Sequence, residues 1–412
     1  MQLCVLFLLL MGVLPAQSGA ESTGSSGPRP LPIASTYGRI HWVTYQNYGA
    51  QPTTPAAFSR IAEMDDMVVA GPSAMSQIGP RLKAADSHLL LLVYENGMYA
   101  GDNDPKNLPD SWYLHTQAGQ RIVSRKKGGS LMNPLSTAPY TDALGTVNGW
   151  AHYVAQQCAA AQTSYTSGCY LDMLGPAGMG THHNAGGKAP IDPRTRKLFA
   201  PKAYMSMTGS MANVTRAALP AGATVIGNGY LNGNAYFLHA SSTLNAYTDA
   251  AEAQGWITRD STRITVSEWQ RMVQMVIDNG NAGSAMLVRA HCECPSPTRA
   301  SVNRIFDLAT YLLANTGHAF YDFNVGRGVI HAWQQWVPLY DLNLGTPTQT
   351  YATVGKYYLK GVYQRAYHGG LVLVNPGPRS VRVALPHAYH TLGGVTTTAV
   401  TVAGHGAIIL TS

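Results

Sequence analysis

From residue 37 to about residue 323, short apolar runs of strand length alternate with longer stretches of helical periodicity. This alternation is typical of βαβ units, in which parallel strands are joined by crossover helices. The clearest run, HLLLLVY at residues 88–94, predicts a strand that is buried on both faces. The predicted strands are residues 39–45, 67–70, 88–94, 169–174, 224–229, 243–247, 285–289 and 319–323.

Helical patterns separate most of these strands. They are residues 55–63, 73–85, 140–162, 202–219, 267–278 and 298–315. In the fifth pattern we expect Ser267 to be the N-cap, with Glu268 in the first turn. Eight repeats of this kind predict an α/β fold, a closed (β/α)8 TIM barrel over residues 35–330. Its two longest loops, at about residues 97–133 and 175–196, follow predicted strands, where barrels carry function.

The pattern changes after residue 325. Short β-like runs at residues 371–374, 381–385, 397–402 and 407–410 are separated by Gly, Pro and His, and no long helical pattern intervenes. Residues 331–412 are therefore predicted to form a linker and a small antiparallel C-terminal β domain.

The N-terminus resembles an export signal. Residues 1–20 contain no charged side chain, and their apolar run at 4–14 is shorter than the ~20 residues that a membrane span requires. We expect a cleaved signal peptide at 1–20, a disordered polar linker at 21–34, and a secreted protein without a membrane span.

Removing Cys4 with that signal leaves an even number of cysteines: Cys158, Cys169, Cys292 and Cys294. Four cysteines in an oxidising compartment allow three pairings, which the sequence leaves open, although a local bridge between the first two is favoured. The last two follow His291 and could belong to a metal cluster, but no second ligand pair is apparent. A local disulfide or free thiols is the preferred interpretation.

Charged residues are only 12% of the chain, with 28 Lys+Arg against 21 Asp+Glu. The single compact basic run, residues 125–127, does not form the clustered basic face of a nucleic-acid-binding protein. Tyr and Trp, with 23 and 7 copies, outnumber the 7 Phe, and such amphipathic rings suit a carbohydrate-facing surface. We expect a monomer whose partner is a polysaccharide or oligosaccharide, with no nucleic acid bound.

Catalytic groups of a TIM barrel lie at the carboxyl ends of its strands. Asp172 ends an apolar strand, where an isolated buried carboxylate would be costly unless it is hydrogen-bonded or used. Glu252 follows the predicted sixth strand among Ala, Gln, Gly and Trp256, a setting that could raise its pKa as a general acid requires. Two facing carboxylates are what glycoside cleavage needs, although a loop-capping Asp and a helix-surface Glu remain alternatives, and Asp249 competes with Glu252.

Further polar and aromatic residues at strand ends are candidate substrate contacts. They are His41, Tyr45, Glu95, Arg289, Asp322 and Trp256. Glu95 and Asp322 are expected to hydrogen-bond substrate or a neighbour rather than perform the chemistry, and Arg289 to orient a carboxylate. The chain has no G-x-S-x-G, P-loop or H-E-x-x-H motif, and the pair 182–183 has no carboxylate at ligand spacing. We therefore predict neither a metal nor a cofactor.

Three segments carry a family resemblance: DMVVAGP at residues 66–72, CYLDMLGP at 169–176 and TDAAEAQGW at 248–256. They resemble the hypothetical glycosyl hydrolase 15 family of secreted barrels and, more distantly, endo-α-1,4-polygalactosaminidase barrels. The tail, residues 362–386, is similar to the β domain found behind glycosidase barrels. The resemblance implies a glycosidase with an Asp after strand 4 and a Glu after strand 6, which are Asp172 as nucleophile or base and Glu252 as proton donor.

Two other functional classes remain open. One is a barrel that binds a glycan without cutting it, and the other is a lyase or a different barrel hydrolase, including a metal-dependent one. The sugar, the linkage, endo or exo action and the stereochemical outcome are not readable from this sequence.

Overall fold

The computed structural model describes residues 27–33, 37, 40–45, 52–101, 104–125, 129–180, 183–257, 264–292, 294, 296–325 and 337–412. The predicted signal peptide at 1–20 and His182 lie outside these residues. None of the helices among the described residues has the length and hydropathy that crossing a bilayer requires.

Within these ranges, eight parallel strands pair in chain order. They are β1 (Val43–Tyr45), β2 (Met67–Ala70), β3 (Leu90–Asn96), β4 (Gly168–Asp172), β5 (Thr224–Asn228), β6 (Ala250–Ala253), β7 (Ala285–Cys292) and β8 (Ala319–Val325). A parallel bridge between Trp42, which precedes β1, and Tyr321 of β8 joins the first strand to the last. The predicted (β/α)8 barrel is confirmed.

Helices surround this sheet. The α-helices of the described ranges are α1 (Pro55–Met64), α2 (Pro72–Ala85), α3 (Trp150–Ala160), α4 (Pro201–Ala218), α5 (Gly233–Leu238), α6 (Val266–Asn281) and α7 (Pro297–Ala314). Helix α6 begins earlier than predicted, because Thr265 and not Ser267 is its N-cap. Thr265 Oγ1 accepts from Glu268 N at 3.2 Å, and the Glu268 carboxylate accepts from Thr265 N at 2.9 Å. This reciprocal capping box satisfies two otherwise unpaired donors.

The sixth strand lies elsewhere than the sequence pattern indicates. The predicted strand at 243–247 overlaps a 3-10 helix, Ser241–Ala246, and the real strand is β6, Ala250–Ala253. Alanine has low strand propensity, but β6 pairs with β5 on one side and β7 on the other. Tertiary pairing therefore overrides local preference, and it places Glu252 on a strand rather than after one.

The predicted helix at 140–162 is also too long. Two short strands, Pro139–Asp142 and Gly145–Asn148, form a hairpin before α3. Asp142 Oδ1 accepts from Leu144 N at 2.8 Å, which builds the turn, and Gly149 adopts φ 98° just before the helix. A Cβ at Gly149 would meet the Ser136 carbonyl oxygen, so the backbone needs glycine at this position.

The barrel interior is filled by inward-facing side chains at alternate strand positions. Its apolar part includes Val43, Val69, Leu92, Ile226, Leu287 and Phe320. Two residues further along the strands, towards their carboxyl ends, the interior becomes polar. We call the carboxyl ends of the strands the mouth of the barrel and the amino ends its base.

The C-terminal domain is an antiparallel sheet, as predicted, with more strands among the described residues than the four predicted runs. Its strands are β9 (Tyr358–Leu359), β10 (Val362–Tyr367), β11 (Gly370–Asn375), β12 (Val381–Thr391), β13 (Thr396–Val402) and β14 (Gly406–Thr411), in the order β9-β10-β11-β14-β12-β13. The buried Arg365 Nη1 donates to the carbonyl oxygens of Leu312 at 3.0 Å, Leu313 at 3.2 Å and Asn315 at 2.5 Å. It caps the end of α7 and so fixes the sheet to the barrel.

The N-terminal segment 27–33 differs from the expected disordered linker. Arg29 N donates to Asp249 Oδ1 at 2.7 Å and Arg29 Nη2 to the Ala223 carbonyl oxygen at 2.5 Å. Leu31 and Ile33 pack against the apolar interior at the base. These residues bind the base because it offers an acidic partner and uncovered apolar surface.

The structure also decides the cysteine pairing. One disulfide, Cys158–Cys169, joins α3 to β4, and the other joins Cys292 and Cys294. Both are local bridges, in line with the preferred interpretation of the sequence.

Candidate active site

The polar side chains at the mouth form one connected group inside the barrel. We define the inner polar cluster as Tyr45, Tyr94, Tyr170, Asp172, Asn228, Glu252, Arg289 and Asp322. Each lies two residues from an apolar interior residue on the same strand or, for Tyr170, belongs to that apolar layer itself. The period of two in β-strands directs all of them inward.

Asp172, the last residue of β4, is held by three donors. Its Oδ2 accepts from the Tyr94 hydroxyl at 2.5 Å, and its Oδ1 accepts from Asn228 Nδ2 at 2.7 Å and from Met173 N at 2.8 Å. The side chain is half-buried. Both oxygens act as acceptors in a fixed position, which is how a carboxylate is prepared for reaction.

The residue after Asp172 has a strained backbone. Met173 adopts φ 66°, in the left-handed region that a large side chain rarely occupies. Such a conformation costs about 1–3 kcal/mol and concentrates at functional sites. Here it turns the Met173 N–H back onto the Asp172 carboxylate, so the strain serves to orient that group.

Glu252 on β6 is fully buried, with no exposed surface. The Tyr170 hydroxyl donates to its Oε2, and Arg289 Nη1 lies 3.8 Å from its Oε1. Burial raises the pKa of Glu252 to about 7, against the opposing effect of the Arg289 charge. The carboxyl therefore exchanges its proton near neutral pH, as a general acid must.

Asn228 lies on β5, between the strands that carry the two carboxyl groups. It pairs in register with Glu252, and its Nδ2 contacts both Asp172 Oδ1 at 2.7 Å and Gln254 Oε1 at 3.0 Å. Glu252 is bonded to Tyr170, which lies one inward-facing position below Asp172 on the same strand. Asp172 is thus nearer the mouth, and Glu252 lies beneath it.

Arg289 and Asp322 complete the cluster. Arg289 Nε forms an ion pair with Asp322 Oδ2 at 2.9 Å, and its guanidinium lies 3.8 Å from the centre of the Tyr45 ring. Asn324 Nδ2 donates to the same Asp322 oxygen at 2.6 Å. Burial raises the pKa of Asp322 to about 6, although Arg289 opposes this rise.

The structure thus brings five of the sequence-predicted site residues together. They are Tyr45, Asp172, Glu252, Arg289 and Asp322. Tyr45 is itself buried, and burial raises the pKa of its hydroxyl well above the usual range. Its ring contacts Arg289, so it supports the cluster from the side.

Two other candidates lie at the base. His41 Nδ1 is 3.1 Å from Oδ2 of Asp66, which immediately precedes β2. Asp249 immediately precedes β6, and its carboxylate accepts from Arg216 Nη2 at 3.0 Å and from Val225 N at 2.8 Å. Asp249 is therefore at the opposite end of the barrel from Asp172, and this geometry favours Glu252 in the competition between the two.

Two further candidates lie outside the inner polar cluster. Glu95 alternates with Tyr94 on β3 and so faces the helices, where burial and the Asp104 charge raise its pKa to about 7. Trp256 is fully buried in the apolar core, and its backbone N–H donates to the Arg289 carbonyl oxygen at 3.2 Å. Trp256 positions the backbone of β7 and exposes no ring face to a sugar.

Sequence reasoning missed three polar members of this site: Tyr170, Asn228 and Gln254. Tyr170 and Asn228 bond the carboxyl groups directly, and Gln254 bonds Asn228. The two-residue alternation of side chains along a β-strand indicates these residues, because each faces the same side as a carboxylate on its own or an adjacent strand. Selection of candidates by formal charge does not identify tyrosine or amide side chains.

The two long loops at the mouth are joined beside β3 and β4. The buried Asn184 accepts from the Tyr99 hydroxyl at 2.7 Å and donates to the carbonyl oxygens of Gly178 and Lys188 at 2.8 Å. Backbone bonds from Arg125 to His183 and from Ile191 to His115 extend the junction. The loops form a wall on the Asp172 side of the mouth.

The family described as hypothetical glycosyl hydrolase family 15 matches residues 92–371, well over half of the chain. The chain belongs to that family. Membership of hypothetical glycosyl hydrolase family 15 confirms the resemblance and supports hydrolysis of glycosidic bonds by this barrel.

Solved structures that are similar to this family member share little sequence with it. An α-amylase from Anoxybacillus is 9% identical, with a TM-score of 0.45 and coverage of 91% of this chain and 97% of that one. An endo-β-1,4-mannanase from Cellulomonas fimi is 9% identical, with a TM-score of 0.41 and coverage of 92% and 89%. No curated protein matches the chain. The assignment to glycoside hydrolysis therefore depends on the family match.

Proposed function

We propose that this family member hydrolyses O-glycosidic bonds of a polysaccharide or glycoconjugate, with Asp172 as nucleophile or base and Glu252 as proton donor. The observation that carries the proposal is that Asp172 and Glu252 project into the barrel from separate strands, where their hydrogen-bond donors Tyr94 and Tyr170 stack ring on ring. A carboxyl pair inside one cleft is the minimum that glycoside cleavage requires.

The two environments suit different roles. Asp172 accepts three hydrogen bonds and is half-buried near the mouth, where it can attack the anomeric carbon or deprotonate a water. Glu252 is buried and has a pKa of about 7, so it can hold a proton at neutral pH and pass it to the departing glycosidic oxygen. Divergent environments for paired carboxyl groups are the pattern of acid and base assignment in glycosidases.

The experiment begins with a panel of polysaccharides scored for released reducing ends. Aryl glycosides of the responding sugar, carrying phenols of different acidity, then test the acid. We expect Glu252→Gln to lower kcat/KM by about 10²–10⁴-fold on poorly acidic phenols and much less on dinitrophenyl glycosides, because a good leaving group needs no proton. Equal losses on both kinds of substrate would contradict Glu252 as donor.

Glu95→Gln is the matched control. Glu95 has the same residue type and also a pKa of about 7, but it faces the helices and not the interior. The Glu95→Gln substitution can alter KM through a substrate contact. The dependence of kcat/KM on leaving-group acidity should nevertheless be the same in this variant as in the wild type.

One observation favours the second candidate, a barrel that binds a glycan without cutting it: Glu252 has no exposed surface. That function would leave glycan affinity intact in the double variant Asp172→Asn and Glu252→Gln, and the wild type would release no reducing ends. Isothermal titration with the oligosaccharide fragments from the panel distinguishes the two functions.

We also propose that the protein is secreted. The apolar, uncharged residues 1–20 support export, and the Cys158–Cys169 bridge fits an oxidising compartment. Sequencing the N-terminus of the protein recovered from culture medium tests this, with a start near residue 21 expected and an intact Met1 as the contrary result.

A further inference from the structure

Arg289 is shared by two buried acids inside the barrel. Its Nε lies 2.9 Å from Asp322 Oδ2, whereas its Nη1 lies 3.8 Å from Glu252 Oε1, beyond hydrogen-bond distance. Both acids have no exposed surface, and the Arg289 side chain is 11% exposed. These groups are largely excluded from water. A single cation there stabilises most strongly the carboxylate that it approaches most closely.

Among the described residues, ionisable groups that bond to Glu252 or act on its charge come from four strands. Tyr45 comes from β1, Tyr170 from β4, Arg289 from β7 and Asp322 from β8. The neutral Asn228 faces it from β5, and Tyr94 of β3 is bonded to Asp172 instead. Among these groups, the Arg289 charge and a hydrogen bond from Tyr45 favour the charged carboxylate, and the Asp322 charge disfavours it.

We propose that Asp322 is a positioning residue: by pairing with Arg289 it holds that cation away from Glu252, so that Glu252 retains the proton it delivers to the leaving oxygen. This inference rests on the proposed role of Glu252. The arrangement has a structural basis, because Asn324 fixes the Asp322 oxygen at 2.6 Å and the Tyr45 ring packs against the guanidinium. Arg289 is therefore restrained in the position that favours Asp322.

If Asp322 had only a structural role, its substitution would not shift the protonation of Glu252 in a particular direction. Loss of a stabilising ion pair lowers the free energy of unfolding but does not move the protonation of a neighbour in a given direction. The distinguishing readout is the pH at which Glu252 loses its proton, observed as the alkaline limb of kcat/KM.

The first variant is Asp322→Asn, which keeps the shape of the side chain and removes its charge. Arg289 is then released towards Glu252, and we expect the alkaline limb to move to lower pH by about one unit. Asp249→Asn is the matched control, since Asp249 is another buried aspartate paired with an arginine, but at the base. Its alkaline limb should coincide with that of the wild type.

A double-variant cycle tests whether Asp322 acts through Arg289. Arg289→Gln alone should move the limb to higher pH, because Glu252 loses its cation. In that background, Asp322→Asn should shift the limb by less than it does in the wild type, since no cation remains to be released. An equal or larger shift would show that Asp322 acts on Glu252 directly, and this would overturn the proposal. Arg289→Gln also provides a test of opposite sign if Asp322→Asn does not fold.

A measurement without substrate separates this inference from the proposed function. Infrared difference spectra between the wild type and Glu252→Gln isolate the carboxyl band of Glu252, which can be titrated with and without the Asp322→Asn substitution. A band that titrates at lower pH in Asp322→Asn supports the positioning role even if no glycoside is cleaved. An unmoved band overturns it even if the enzyme is an active glycosidase.

Discussion

The base and the mouth of the barrel use the same residue types for different purposes. At the base, Asp249 is saturated by Arg29 N at 2.7 Å, Arg216 Nη2 at 3.0 Å and Val225 N at 2.8 Å. At the mouth, tyrosine and amide side chains supply most of the donors. There Arg289 divides its charge between Glu252 and Asp322.

The two ends differ in the groups that supply the hydrogen-bond donors. At the base, two backbone N–H groups and the Arg216 guanidinium, which also donates to the Tyr247 carbonyl oxygen, bond to Asp249, so the group serves stability. At the mouth, a hydroxyl or amide donor can rotate when its partner gains a proton, whereas a backbone N–H cannot. The mouth therefore keeps ionisable groups that can react, and the base keeps groups that hold the fold together.

The largest effect expected from this comparison is on turnover. Asp172→Asn removes the attacking or base-acting carboxylate but keeps a side chain of the same shape, and it should lower kcat by about 10³-fold or more. The free energy of unfolding should change little. Reducing-sugar assays and denaturant titrations measure both quantities, and wild-type turnover in this variant would refute the role of Asp172.

The complementary change at the base should affect stability. Asp249→Asn leaves Arg216, whose side chain is 8% exposed, without its charged partner. Breaking a buried pair in this way costs about 3–5 kcal/mol of unfolding free energy. Urea midpoints measure the loss, while kcat of the folded fraction should stay near the wild-type value. A collapse of kcat at full folding would mean that the two ends are not independent.

A smaller effect concerns the pH dependence of stability at the mouth. Between pH 4.5 and about 7, the unfolded chain has lost the Glu252 proton that the folded protein still binds, so stability must fall as pH rises. Relative to Glu252→Gln, the wild type should lose up to about 3 kcal/mol across this interval. If the free energies of unfolding of the two proteins changed in parallel with pH, Glu252 would have an ordinary pKa.

The smallest effect is expected in the loop wall. Asn184→Ala leaves the Tyr99 hydroxyl and two carbonyl oxygens without their buried partner, which should cost about 1–3 kcal/mol and expose the loop at 97–133 to proteolysis. Lys188→Ala removes only an exposed bond to Gln120 and should change stability by less than about 0.5 kcal/mol. Equal effects of the two substitutions would mean that the loops are held by other contacts.

Much of the fold could be predicted from the sequence, because strand and helix periods alternate so regularly along it. The bounds of β2 are those the apolar run predicts, and β3, β5 and β7 lie within two or three residues of their predicted limits. The failures occur where apolar periodicity is weak. The four residues of β6 are three alanines and Glu252, and only their neighbours in the sheet make them a strand. Likewise, the hairpin before α3 depends on turn chemistry at Asp142 and Gly149, which periodicity does not register.

The sequence by itself determined the barrel and the C-terminal sheet, because strand and helix periods can be read from order alone, and it gave Asp172 and Glu252 as candidate catalytic residues. Only the tertiary structure decided that Asp249 and His41 face the base, that Trp256 is buried, and that Asn228 bonds Asp172 while Tyr170 bonds Glu252. The depth of a side chain depends on strand register, and register is set by pairing between residues far apart in the chain. Ion-pair geometry depends on the same pairing, so the unequal sharing of Arg289 appears only once the barrel is closed.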